Sequence, residues 1–220
     1  MELIISWLRL SWQVLAINGD RIAWNTFLAV IPLVLSVWLF RWQNPQRKPW
    51  PRSPLWWVIF TIFVAFLPNA PYILTDIIHY FRLVRQGIPT SVMIFTATPQ
   101  FFFFLNVGWQ CYVMSLLNVG YYLGQRQWSA WIFPMELMAH VLSAIGIYLG
   151  RFLRLNSWHV VTDPKDVGQN LAQTLSHHRP LLAISVTVVV LTIFYWLTKQ
   201  INLGLVLRWQ QVQSRRPQQY

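Results

Sequence analysis

Charge is what this chain lacks most. Asp, Glu, Lys and Arg make up only 10% of its 220 residues, whereas a soluble domain carries about a quarter. So few charges cannot solvate a globular surface of this size, but they suit a chain whose surface is mostly lipid. Acids are scarcer than bases, 6 against 17, and the formal net charge is +11. The bases stand in short clusters between apolar runs. That pattern fits residues that set topology and attract anionic lipid head groups, and it leaves no basic domain to read nucleic acid.

Cysteine is nearly absent too. Cys111 alone excludes an internal disulfide and any cysteine-built zinc or iron–sulfur site, and within an apolar run it reads as a small packing residue. There is no Walker loop, no dinucleotide-binding glycine fingerprint and no HExxH, and Glu136 with His140 lacks the zincin arrangement. Asp76, His79 and His159 are too few and too scattered to predict a metal site. The N-terminus lacks the marks of a cleaved signal peptide. Glu2 precedes the first apolar stretch, Arg9 interrupts it, and no small-residue cleavage site follows. The first true span is therefore expected to act as the targeting signal.

Apolar runs and aromatics are what the chain has in plenty. Hydrophobic residues make up 55%, with 14 Trp and 8 Tyr to populate the two membrane interfaces, and mean hydropathy is +0.41. The expected fold is all-α, a polytopic membrane helix bundle of about five transmembrane helices with a broken second helix and short interfacial helices. Residues 1–21 read as an interfacial helix, with Leu3, Trp7, Leu10 and Val14 at helical spacing. Residues 22–198 form the transmembrane bundle and 199–220 a polar tail.

The first span covers Ile22–Phe40, with Pro32 inside it, and Arg41–Pro54 is a connector. The second runs from Leu55 to about Phe81 and is interrupted by Pro68 and Pro71. Residues 86–125 carry no charge and would make a helix about 60 Å long. They hold either two tightly joined spans or one span preceded by a re-entrant or interfacial piece. Pro89 and Pro99 favour one span, from about Ala97 to Gly124. Trp128–Leu149 is the fourth span. A surface helix follows from Asp163 to about His178, and Leu181–Thr198 is the fifth span. Five spans put the ends on opposite faces. Arg9, Arg21, Arg82, Arg85, Arg151, Arg154, Lys165 and Arg179 fall on the N-terminal face. The other bases fall on the C-terminal face, and the compact first loop and the tail favour a cytoplasmic C-terminus.

Chemistry could reside in three places. Around Pro68-Asn69-Ala70-Pro71 a helix break is expected well inside the membrane, with Asn69 capping a new half-helix whose free N–H groups suit an anion. Broken backbone at depth is tolerated where protein or a water-filled cavity covers it. Asn69, Tyr72, Asp76, His79 and Tyr80 then share one face. The alternative is a kink that merely fits the bundle. The second place runs from Gly146 to His159, where Arg151, Arg154, Asn156 and His159 would lie on the same face of the membrane as Asp76 and His79; plain topology-setting arginines are the alternative. The third is Glu136 with His140 and Ser143 on one face of the fourth helix, a structural polar pair. An acid within a span needs a partner, and His140 or an arginine could serve.

These stretches resemble a bacterial membrane family known as domain of unknown function 1361. The resemblance rests on Trp24-Asn25-Thr26-Phe27-Leu28-Ala29 with Pro32, on Phe66 to His79, and on Gly146 to Trp158 with Pro164; Gly108 and Ser115 fit more loosely. It spans about Trp24 to Leu197, with a poor match over Ile88–Phe104. After Asn156-Ser157-Trp158 the family pattern carries an acid where this chain has His159. The resemblance implies a multi-pass protein of the bacterial cell membrane and no established reaction, catalytic residue or cofactor.

The leading functional reading is binding of an anionic head group, from a lipid or a polyprenyl phosphate, by Asn69, Tyr72, Asp76, His79, Arg151, Arg154, Asn156 and His159. A rival is a non-enzymatic assembly or interaction subunit with membrane-protein partners, whose Gly120-x-x-x-Gly124 and Gly146-x-x-x-Gly150 faces would pack on them. A small transporter ranks third, since no internal repeat is visible.

Overall fold

The computed structural model describes residues 1–42, 53–152 and 178–214. Among these no strand occurs. Five helical stretches are long and apolar enough to cross a membrane: Glu2–Arg41, Pro54–Arg85, Thr90–Gln125, Ser129–Phe152 and His178–Ser214. The protein is an all-α, multi-pass membrane protein.

Helix α1 (Glu2–Ser36) runs unbroken and continues through a π-helical turn, Val37–Arg41. The separate interfacial helix expected over residues 1–21 is thus its first half. Nothing between the halves ends a helix. Asn18 donates back to the Val14 carbonyl at 3.0 Å, and the only proline, Pro32, lies far inside and is buried. At 1.5 Å per residue the stretch is about 60 Å long, twice the hydrocarbon thickness of about 30 Å. Its early turns, with exposed Leu3, Ile4 and Trp12, therefore extend past the boundary on the N-terminal face.

Helix α2 (Pro54–Phe66) starts on a conventional cap. The Ser53 hydroxyl accepts from the Trp56 N–H at 3.3 Å, and Pro54 takes the first helical position. The break follows as α3 (Asn69–Tyr72), a 3-10 turn Ile73–Asp76, and α4 (Ile77–Arg85). It is tighter than the prolines imply. Pro68 keeps helical dihedrals, φ −62° and ψ −21°, and Asn69 is the first residue of α3, which has no side-chain cap hydrogen bond. A cap residue needs extended backbone, and the chain never leaves the helical region here. The Ala70 and Tyr72 N–H groups bond the Leu67 and Pro68 carbonyls at 3.3 and 3.1 Å, and Pro71 has no N–H. The break therefore presents no open helix N-terminus, and the anion cradle expected around Asn69 is absent from this turn.

The uncharged run holds one span. A short α5 (Thr90–Val92) passes through a π-helical turn, Met93–Ala97, directly into α6 (Thr98–Gln125). Pro99 falls in the first turn of α6, directly after the π-helical turn. Helix α6 is the hub. It packs along α1 and also touches α3, α7 (Ile132–Phe152) and α8 (His178–Ser214), burying Phe101, Phe104, Tyr112 and Leu116 while Phe102 and Phe103 stay exposed towards lipid. Helix α8 leans mainly on α7, and the tail expected to be polar from residue 199 remains helical to Ser214.

Two glycines seat the broken helix. A Cβ on Gly108 of α6 would lie 2.5 Å from Ile73 Cδ1, and one on Gly146 of α7 would lie 2.6 Å from Pro68 Cβ. Five crossings put Met1 and Ser214 on opposite faces, so reporter fusions to the two ends should give opposite accessibility signals; matching signals would require an even number of spans.

Candidate functional site

Three helices converge on one buried carboxylate at the N-terminal face. Helix α1 contributes Asn18, Arg21 and Asn25, whose three- and four-residue spacing aligns them as one stripe. The broken second span contributes Thr75, Asp76 and His79, and the last turn of α7 contributes Arg151.

Asp76 is 2% exposed. Asn25 Nδ2 donates to its Oδ2 at 2.6 Å, while Arg151 Nη1 stands 3.5 Å and His79 Nε2 3.8 Å from its Oδ1. The Arg151 separation is longer than the 2.7–2.9 Å typical of a charge-assisted bond. The tight contact of Arg151 is instead Nη2 to the Thr75 carbonyl, at 2.7 Å. That carbonyl lies in the 3-10 turn, where irregular backbone at membrane depth needs outside donors. Arg151 Cζ also lies 5.9 Å from the centre of the Tyr72 ring.

A second cation stands beside the first. Arg21 Nη1 lies 2.8 Å from His79 Nδ1, and its Nη2 donates to Asn18 Oδ1. A guanidinium is only a donor, so His79 Nδ1 accepts, and the proton of a neutral ring sits on Nε2, towards Asp76. The accessible groups of the cluster are its bases. The Arg151 and His79 side chains keep 24% and 16% of their surface exposed against 2% for Asp76. Two guanidiniums face one carboxylate, and Arg82 adds a further cation to the field at Arg21 and His79, so positive charge is in excess at the membrane boundary.

The structure thus brings together Tyr72, Asp76, His79 and Arg151, and adds Asn25 and Arg21, which sequence reasoning passed over. A signal was available: polar residues in register on the face of a span. Asn69 lies about 10 Å from Asp76 along the helix axis, and Tyr80 turns to α6, where its hydroxyl meets Thr98 Oγ1 at 2.9 Å. Arg154, Asn156 and His159 lie outside the described residues, as does the expected surface helix. Among the described residues no group of three His, Cys, Asp or Glu is placed to hold a metal ion.

Glu136 and His140 each find a partner on another helix. The same Glu136 oxygen accepts from Lys199 Nζ at 2.6 Å and from the Tyr195 hydroxyl at 2.7 Å, both on α8. His140 Nδ1 shares a 2.8 Å hydrogen bond with the Tyr112 hydroxyl of α6, which also accepts from Ser143 at 3.3 Å. The His140 and Tyr195 rings meet edge-on at 4.9 Å. This clasp ties α6, α7 and α8 together. A smaller one closes the C-terminal face, where Arg41 Nε donates to Asn118 Oδ1 at 2.8 Å and Asn118 Nδ2 to Ser36 Oγ at 2.9 Å.

No curated protein and no solved structure matches this chain. One family does, over residues 24–193, a range that takes in Asn25, Asp76, His79 and Arg151: the protein belongs to the family described as protein of unknown function (DUF1361).

Proposed function

We propose that the protein binds the phosphate head group of an anionic lipid, a phospholipid or a polyprenyl phosphate, at the Arg21–His79–Arg151 cluster. The observation that carries this reading is the gradient of exposure: the carboxylate is buried at 2% while the guanidinium of Arg151 keeps 24% of its side chain accessible. An arriving phosphate meets bases first, and each guanidinium has five N–H donors, of which only one or two have partners in this cluster. Depth supports it, since the cluster lies where a span of α7 ends and head groups begin. In a bacterial cell membrane with the C-terminus cytoplasmic, this face is the outer one.

The interaction-subunit reading draws less support, because Gly146, half of one of its two glycine faces, is occupied within the bundle by Pro68. Mass spectrometry of the protein in mild detergent, titrated with phosphatidylglycerol, a polyprenyl phosphate and zwitterionic phosphatidylcholine, tests the proposal. Arg21→Gln and Arg151→Gln should each weaken binding of the two anionic lipids about tenfold, the loss of roughly one charge-assisted bond of 1.4 kcal/mol. Unchanged affinities in both variants would overturn it.

A further inference from the structure

The half of the bundle away from Asp76 holds a partly open cavity of about 550 Å³ between α2, α6 and α7. Helix α7 separates its two neighbourhoods sharply. Met135, Met138 and Leu142 line the cavity, whereas Glu136, His140 and Ser143 face the polar clasp. Above the cavity Pro68 closes on Gly146, so it does not continue to the Asp76 cluster.

We propose that this cavity seats one acyl chain of an anionic phospholipid drawn from the leaflet on the C-terminal face. Depth selects a chain from that leaflet. The lining on α7 runs from Pro134 to Leu142, about 12 Å at 1.5 Å per residue, which stays within half of a hydrocarbon core of about 30 Å. Size agrees, since pockets of about 300–1,000 Å³ hold single apolar ligands. Charge selects the head group. Arg126 Cζ lies 5.4 Å from the ring centre of Tyr122, a lining residue, and Arg41 Cζ lies 4.0 Å from that of Tyr121. Among the described residues the one acid in this half is Glu136, which is turned to Lys199. Trp128 and Trp131 at the mouth are of the type that sits at head-group level.

The test reconstitutes the full chain into vesicles of phosphatidylglycerol and phosphatidylcholine, re-solubilises it gently, and counts retained lipids by mass spectrometry. Wild type should retain phosphatidylglycerol at the cavity. Leu142→Trp and Met138→Trp, at lining positions, should each lower that retention at least tenfold, and Phe133→Trp, at a residue that does not line the cavity, should not. Arg126→Gln should reduce the preference for phosphatidylglycerol over phosphatidylcholine. Thermal unfolding identifies any variant that fails to fold, and either filled variant suffices. A lipid lost in Arg21→Gln but kept in Leu142→Trp belongs to the opposite face and bears only on the head-group proposal. Retention unchanged in a folded, filled variant would overturn the cavity assignment, as would equal retention of phosphatidylcholine or a second copy of the chain in place of lipid.

Discussion

Asp76→Ala should destabilise the bundle by about 3–5 kcal/mol, the usual result of removing one partner from a buried ion pair. The carboxylate is 2% exposed and accepts from Asn25 at 2.6 Å. Its removal leaves the Asn25 amide without that acceptor and Arg151 and His79 without the charge they face. Arg151→Gln should cost less, because that side chain is a quarter exposed and can reach water or lipid phosphate. The two changes together should be non-additive, with a coupling of about 0.5–3 kcal/mol. Equilibrium unfolding in mixed detergent measures all three, and strictly additive effects would mean that the ion pair has no energetic role.

Gly108→Ala should have the next largest effect. The added methyl would stand 2.5 Å from Ile73 Cδ1 and 2.9 Å from its Cβ and Cγ2. A rotamer change can move the first of these atoms away but not the Cβ, so α6 and the broken helix must separate. Overpacking of this kind costs about 1–3 kcal/mol. Ile73→Ala in the same chain should recover part of the loss although it is destabilising alone, since it removes the clashing branches. A neutral Gly108→Ala measured by the same unfolding assay would show that the two elements are not pressed together there.

The spans were legible because hydropathy and length answer directly to bilayer thickness. The broken second helix was legible because two prolines three residues apart cannot sit in an undisturbed one. Its chemistry was not, since the role of Asn69 depends on whether Pro68 leaves the helical region, and packing against Gly146 and α6 decides that. Asp76, His79 and Arg151 stood out as ionisable residues at span ends. Arg21 and Asn25 did not, because residues 1–21 read as a separate interfacial piece and a lone asparagine in a span carries no mark of its partner 51 residues away. The partner of Glu136 was missed for a related reason. Lys199 follows the last apolar run and looked like the start of a tail, yet α8 continues through it, and a flexible stem brings the ammonium back to the acid.

The polar cluster at the N-terminal face is assembled from segments far apart in the chain, and this imposes an order on biogenesis. Asn25 is already in place when Asp76 is made, but Arg151 comes 76 residues after Thr75, whose carbonyl it meets. At about 5–20 residues per second, the insertion machinery holds three spans for some 4–15 s while the carboxylate lacks its arginine. During that interval the nascent chain is anchored by α1, the broken second span and, once it is made, α6. The arrival of the fourth span is thus the step that completes the charge pair at the N-terminal face.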